Sequence, residues 1–222
     1  MTNPKKKSFQ LARILNDCGK LTIAVSGGVD SMTLASFTHR HLGREQVKMV
    51  HAVSPAVPKA ATSRVEVQAS EEGWDLHLVN AGEFEDEHYR SNPFNRCFFC
   101  KNNLYQALSV ISKGSLVSGT NADDLNDFRP GIKASNQAGV ISPLAELEID
   151  KKSIRSISKS LGLPWWDKPA QPCLASRIPF GEEISSKRLK QIALAEEWII
   201  NQGFSKVRVR SQGLSARIEL PA

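Results

Sequence analysis

Residues 21–31 read Leu21-Thr22-Ile23-Ala24-Val25-Ser26-Gly27-Gly28-Val29-Asp30-Ser31. The first five positions form a short apolar run, the pattern of a strand buried on both faces. A Gly-rich turn follows, and residues 30–42 then carry helical spacing. A turn placed between a buried strand and a helix is suited to an anion. Two glycines let backbone N–H groups approach closely, and the helix N-terminus adds unpaired donors and a positive dipole end. Ser26 and Ser31 add hydroxyl donors. Asp30 would be repelled by bare phosphate, so it either faces Mg²⁺ or caps the helix. The pattern GxxxxGK[ST] is absent, which argues against an ordinary γ-phosphate-cleaving NTPase.

Outward from this turn, strands alternate with helices. Helical spacing is read over 8–18, 58–72, 95–111 and 151–161, and strands over 46–53, 75–79 and 115–118. Strands separated by helices of this length imply parallel pairing, hence an α/β fold. Past residue 165 the pattern changes. A Pro-, Trp- and Ser-rich loop over 165–181 leads to a long helix over 184–203. Two alternating segments, 206–210 and 214–220, flank a turn at 211–213 and read as a β-hairpin. The expected organisation is a nucleotide domain over 1–165 and a small α+β segment over 166–222.

The chain has 222 residues, 41% hydrophobic and 23% charged, with a formal net charge of +6. This composition excludes disorder or a collagen-like repeat as the main architecture. The basic balance suits anionic ligands without choosing among them. No run approaches the ~18 apolar residues of a membrane span, and no secretion signal is read, so a cytoplasmic protein without a membrane partner is expected. Lys5, Lys6 and Lys7 read as a solvated tail.

The four cysteines are Cys18, Cys97, Cys100 and Cys173. Cys97 and Cys100 form a CxxC at the start of a predicted helix, whose dipole would lower their pKa values. Together with Cys173 they would supply three thiolates, enough for three irons of a [4Fe–4S] cluster with one iron open to an extra sulfide. The plainer alternative is small buried cysteines between core phenylalanines. A zinc site would want a fourth ligand, and no His motif supplies one. Cys18 reads as structural.

These segments together resemble the LarE family of ATP-dependent sulfur transferases, within the PP-loop ATP-pyrophosphatase superfamily. The resemblance is carried by 21–31, 52–58, Asn92-Pro93 with 96–101, and Gly119-Thr120-Asn121-Ala122-Asp123-Asp124. It continues through Asp127-Phe128-Arg129-Pro130-Gly131, Ser142-Pro143-Leu144, Trp166-Asp167-Lys168-Pro169, 173–181, 207–210 and 216–221. It implies a Rossmann-like domain that cleaves ATP to AMP and pyrophosphate. It further implies adenylation of a carboxylate on a pyridinium dicarboxylate mononucleotide, followed by conversion to a thiocarboxylate for a nickel-pincer cofactor. Some members sacrifice one cysteine at the position of Cys173, leaving dehydroalanine. Others hold a [4Fe–4S] cluster on three cysteines, and Cys97, Cys100 and Cys173 match that type. The sulfur would then be replenished by a sulfide or persulfide donor. The family usually continues several tens of residues beyond the segment matching 216–221, and a homo-oligomer is possible.

Roles follow from the resemblance. Ser26, Gly27, Gly28, Val29 and Ser31 would hold ATP and pyrophosphate, and Asp30 the Mg²⁺. Lys101 would neutralise phosphate charge, and Gly119, Thr120 and Asp123 would lie at the nucleotide. Asp123 and Asp124 serve the adenylate or the metal, or cap a helix. Arg129 and Lys133 contact phosphate or make surface ion pairs. Trp165 and Trp166 stack on a ring or pack in the core. Cys173 would be catalytic. Arg208 and Arg210 share one face of the hairpin, opposite Val207 and Val209, and with Ser176 and Arg177 they are the candidates for the substrate phosphate. The rivals are an iron–sulfur-dependent tRNA thiolation enzyme of the PP-loop class, an ammonia-using ligase and a non-enzymatic AMP-binding module.

Overall fold

The computed structural model describes residues 4–112, 114–127, 129–204 and 206–220, with Pro4 and Lys5 described by their backbone alone. Phe128 and Pro221, which belong to two of the segments quoted above, lie outside the described residues.

The chain runs α1 (Pro4–Asp17), β1 (Leu21–Ala24), α2 (Val29–Leu42), β2 (Val47–Ala52), α3 (Lys59–Glu72) and β3 (Asp75–Val79). It continues through α4 (Glu87–Arg90), α5 (Arg96–Ile111), β4 (Ser115–Ser118), α6 (Ala122–Leu125), α7 (Pro130–Gln137), α8 (Pro143–Glu146) and α9 (Lys151–Ser160). A 3₁₀ turn (Leu174–Arg177), α10 (Ser186–Asn201), β5 (Arg208–Gln212) and β6 (Ser215–Glu219) complete it. This is the α/β class expected.

The four-stranded sheet is parallel throughout, in the order β3-β2-β1-β4. Leu21, Ile23 and Val25 on one face and Thr22 on the other are buried, as a strand covered on both faces requires. The main apolar core joins the sheet to α1, α2, α3 and α9 through Leu11, Met32, Val65 and Ile154. The chain moves outward from β1 through β2 to β3, then returns to pair β4 with the other side of β1. The strand order therefore reverses between β1 and β4, and open α/β sheets bind ligands beyond the carboxyl ends of the strands at such a point.

The C-terminal part builds a second, smaller core from Leu174, Ala175, Ile178, Ile184, Leu189 and Ile192, with Ala56 and Tyr89. β5 and β6 form the antiparallel hairpin, and Val207 and Val209 pack on Ile199 of α10. The turn falls after Gln212, which pairs with Ser215, so β5 runs two residues beyond the expected end.

Candidate functional site

The turn after β1 is held by its own hydroxyls. The Ser26 N–H donates to Ser31 Oγ at 3.0 Å, and the two serine hydroxyls lie 3.0 Å apart. The Ser31 hydroxyl also donates to the Gly28 carbonyl at 3.3 Å. Gly27 has φ +77°, and a Cβ there would meet the Ala61 carbonyl oxygen at 2.6 Å. Glycine is therefore required twice over, for backbone conformation and for the close approach of α3. Val29 is buried and seats the first turn of α2 in the core.

The turn after β4 meets this one. A Cβ on Gly119 would stand 2.7 Å from Ser31 Cα and 2.8 Å from its nitrogen, so the two strand ends touch backbone to backbone. Thr120 and Ser118 share hydroxyls at 3.0 Å. Asn121 caps α6, accepting from the Asp123 and Asp124 N–H groups, while the Asp124 carboxylate accepts from the Asn121 N–H at 3.1 Å. Asp123 accepts from the Lys151 N–H at 2.8 Å. Both carboxylates thus accept backbone N–H groups at helix starts, Asp124 at α6 and Asp123 at α9.

Asp30 lies between three elements. Lys151 at the start of α9 donates to its carboxylate at 2.5 Å, and the Asn121 amide does so at 3.2 Å. Lys151 was not legible as a site residue. Its only local signal is the preceding Asp150, which caps α9 by accepting from the Ser153 N–H.

Cys173 is exposed at the start of the 3₁₀ turn. The turn is anchored where Leu174 N–H donates to the Ala56 carbonyl at 2.8 Å, in the connection leaving β2. Arg177 is buried and spans Glu196 of α10 at 2.9 Å and the carbonyls of Pro172 and Cys173 at 3.0 and 3.3 Å. Glu196 in turn accepts the Val209 N–H at 3.0 Å. One buried ion pair therefore ties the Cys173 loop, α10 and the hairpin together. The signal that would have found it is an acidic residue in the buried stripe Leu189, Ile192, Glu196, Ile199.

Arg210 donates to the Ser176 carbonyl at 3.1 Å and to Glu219 at 2.7 Å. A cavity of about 420 Å³ opens beside it, lined by Arg96, Ser176, Arg177, Phe180, Arg210 and Arg217, among others. Arg208, two positions before Arg210 on the same face of β5, is exposed. The Arg96 guanidinium sits 5.2 Å from the Phe180 ring, and Asn92, fully buried, accepts from Arg96 while donating to the carbonyls of Pro179 and Glu182.

The three-cysteine iron–sulfur expectation is overturned. Among the described residues, no group of three or more His, Cys, Asp or Glu side chains is placed to hold a metal ion. Burial pushes the Cys100 thiol up to about 12. Desolvation likewise pushes the Cys97 thiol up, with Cys173 adding to it against Arg96 and Lys101. The plainer alternative describes Cys100, which packs with Phe99 against the smaller core. The assignment to the three-cysteine, iron–sulfur branch of the family falls with it.

The remaining candidates are placed as follows. Lys101 lies 5.8 Å from the Tyr105 ring, and the Tyr105 phenol pushes its ammonium up. Arg129 pairs with Asp124 at 2.9 Å and Asp127 at 3.4 Å, and Lys133 lies over Phe98. Trp165 is buried in the main core with its indole N–H on Gln68 at 3.2 Å. Trp166 carries the Lys159 ammonium 4.7 Å from its ring. Cys18 donates to the Ile14 carbonyl and packs on the core, a structural place. No helix of the described residues is long and apolar enough to cross a membrane.

A Ser-Gly-Gly turn at the reversal point of a parallel sheet, opening a helix with an acidic first turn, defines a PP-loop ATPase. The comparisons agree with that class. No family model matches the chain. It is 42% identical over 221 residues to an uncharacterized protein of Synechocystis, covering 98% of this chain and 82% of that one. It is 32% identical over 219 residues to the pyridinium-3,5-bisthiocarboxylic acid mononucleotide synthase of Lactiplantibacillus plantarum, covering 97% of this chain and 79% of that one. One component of the glutamine-hydrolyzing GMP synthase of Methanopyrus kandleri is 31% identical over 184 residues, 74% of this chain and 57% of its own. The chain belongs to the family of the pyridinium-3,5-bisthiocarboxylic acid mononucleotide synthase, within the PP-loop ATPases.

Proposed function

We infer that this protein is an ATP-dependent sulfur transferase acting on a carboxylate of a pyridinium dicarboxylate mononucleotide, in the making of a nickel-pincer cofactor. One observation carries the reading. The nucleotide turn after β1, the Gly119 turn after β4 and the Cys173 loop anchored on Ala56 all gather at the carboxyl edge of one sheet.

A carboxylate resists substitution because its leaving group would be oxide. A carboxylate oxygen attacks the α-phosphorus of ATP, the bond to the β-phosphate breaks, and pyrophosphate leaves. The N–H groups of the Ser26–Gly28 turn and the Ser26 and Ser31 hydroxyls receive that pyrophosphate, with the dipole of α2 behind them. Mg²⁺ enters with ATP, whose phosphates supply most of its oxygens, so the single Asp30 carboxylate suffices on the protein side. The bound ion would neutralise the phosphate charge.

Cys173 then attacks the acyl carbon as thiolate. The bond to AMP breaks, AMP departs with the electron pair, and a thioester forms. Loss of the Cys173 Cα proton and cleavage of its Cβ–S bond release the thiocarboxylate and leave dehydroalanine. Arg210 and Arg208, with Ser176 at the cavity edge, receive the mononucleotide phosphate, while Arg177, held by Glu196 and the carbonyls of Pro172 and Cys173, positions the Cys173 loop.

The test is pyrophosphate release from ATP with the mononucleotide offered against bulk tRNA. Release that depends on the mononucleotide, with exchange of one oxygen for sulfur in the product, is expected. Release that depends only on tRNA overturns the substrate, and no release with either overturns the adenylating chemistry.

A further inference from the structure

Four guanidinium groups line the cavity beside the Cys173 loop, those of Arg96, Arg177, Arg210 and Arg217. Their counter-charges do not match them. Arg177 is neutralised by Glu196 at 2.9 Å. Arg210 and Arg217 stand directly opposite one another on the hairpin, and both reach the same Glu219 oxygen at 2.7 Å. One carboxylate does not neutralise two facing cations, so the hairpin keeps a positive charge. Among the described residues, Arg96 has no carboxylate within ion-pair distance. The cavity therefore carries two uncompensated charges, one on the hairpin and one on α5.

Arg96 is held in place by uncharged groups. It is 6% exposed, and what it exposes lines the cavity. Nη1 donates to the Asn92 side chain, and Asn92 in turn grips the carbonyls of Pro179 and Glu182. The Phe180 ring lies 5.2 Å from the guanidinium carbon. Cys97 beside it is no counter-ion, because burial pushes that thiol up. A buried charge without an opposite one is costly, and a guanidinium does not relieve the cost by losing its proton. The missing charge is one that a ligand brings.

A dicarboxylate mononucleotide brings both. Its phosphate answers the charge on the hairpin. A planar carboxylate on its ring answers Arg96, whose fork matches that group and whose single charge it balances. Phe94 meets Phe180 edge-on at 5.2 Å, and both rings are exposed, so an apolar wall for a flat ring stands next to the guanidinium. A cavity of about 420 Å³ is of the size that holds such a molecule.

We propose that Arg96 holds the second ring carboxylate of the substrate, the one not reacting at Cys173, and so selects a dicarboxylate over a monocarboxylate. This rests on the carboxylate-adenylating reading. Arg96 is a binding residue here and takes no part in bond making.

The test is pyrophosphate release by the whole chain with the dicarboxylate mononucleotide and with nicotinate mononucleotide, which has the same phosphate and one ring carboxylate. Wild type, R96Q, R96K and R217Q are compared by kcat/KM, each with a thermal melt. Wild type should favour the dicarboxylate about tenfold or more, the scale of one charge-assisted hydrogen bond. R96Q should lose that preference by falling on the dicarboxylate alone, with nicotinate mononucleotide within about twofold of wild type. R96K keeps the charge without the fork and should retain part of the preference, which carries the comparison if R96Q does not fold. The Arg217 side chain is 57% exposed, so R217Q is expected to fold, and it should lower both substrates alike through the shared phosphate. Equal use of both substrates by wild type, equal loss of both in a folded R96Q, or loss confined to the dicarboxylate in R217Q would each overturn the assignment. Wild type that releases no pyrophosphate with either substrate would overturn the adenylating reading beneath it, a result distinct from a wild type that is active without preference.

Discussion

Lys151 Nζ lies 2.5 Å from both carboxylate oxygens of Asp30, across 121 positions of sequence. The contact joins the first turn of α2 to the first turn of α9. It also places a cation where a phosphate-bound magnesium would need the same carboxylate. Replacing Lys151 by Gln removes this competitor and leaves Asn121 beside Asp30. A partly exposed pair contributes about 0–1 kcal/mol, so K151Q should cost only a few degrees of melting temperature. The magnesium concentration giving half-maximal pyrophosphate release should fall roughly fivefold. An unchanged or higher requirement would mean that Lys151 and the metal do not share the carboxylate.

Gly119 touches Ser31 backbone to backbone, so it sets the gap between the two nucleotide turns. Its φ is not in the left-handed region, so a G119A change acts by volume alone. Overpacking of this kind costs roughly 1–3 kcal/mol. The added methyl pushes the β4 turn away from α2, and ATP affinity should fall more than about tenfold. G27A meets both a positive φ and the Ala61 carbonyl, so it should lose more stability than G119A. Thermal melts with and without ATP separate the two effects. Equal ATP stabilisation in wild type and G119A would refute the contact as a determinant of binding.

The Arg177–Glu196 pair is buried on both sides, with side chains 2% and 8% exposed. Removing one partner leaves the other charged and unpaired, at a cost of about 3–5 kcal/mol. E196Q should therefore lower the melting temperature by roughly 6–15 °C for a chain of this size. It should also loosen the Cys173 loop that Arg177 holds, while the Gln amide oxygen can still accept the Val209 N–H. Limited proteolysis should find new cuts between residues 165 and 181. A melting temperature within 2 °C of wild type (~1 kcal/mol or less) would show that the pair contributes little.

What could be read beforehand was what the chain encodes locally. β3 and β4 fall at the expected residues, and the nucleotide turn was legible because its strand, glycines and helix are contiguous. The four-residue helices α4, α6 and α8 were not legible, because they are too short to show a period and rest on Asp86, on Asn121 and on Pro143 at a first turn. Lys151 and Glu196 were missed for another reason. Each acts on a residue far away in sequence, and no local pattern records such a pairing. The cysteines show the opposite error. CxxC spacing allows convergence on a metal but does not report the tertiary placement of further ligands, and among the described residues no group of three or more is placed to hold one.

His51 is buried between the first two strands and α3. The Val25 carbonyl only accepts, so Nδ1–H donates to it at 2.7 Å, and Nε2 accepts from the Thr62 hydroxyl at 2.9 Å. Burial holds its pKa below the ordinary 6.5, against the hydrogen bond to Val25. The unfolded chain therefore binds a proton before the folded one does. Stability is fully present above pH 6.5 and declines as pH falls toward the lower folded value. The urea midpoint of wild type should drop between pH 7.5 and 5.5, and H51Q should show a smaller drop from a lower starting point. An equal drop in both would assign the pH dependence to other groups.

Cys173 is exposed, whereas Cys100 is packed against the smaller core with its thiol pushed up to about 12. At pH 8 the thiolate fraction of Cys100 is then on the order of 10⁻⁴. Iodoacetamide followed by peptide mass spectrometry should find Cys173 modified while Cys100 remains free in the folded protein, and both modified in urea. The functional counterpart separates the two half-reactions. C173A should keep mononucleotide-dependent pyrophosphate release, because adenylation does not use the thiol, and should yield no thiocarboxylate. C100A removes a half-buried sulfur, with a modest cost of about 1 kcal/mol, and should retain both half-reactions. Thiocarboxylate formed by C173A would place the sulfur source elsewhere. Loss of sulfur transfer in C100A, with its folding intact, would give that cysteine a chemical part that its burial argues against.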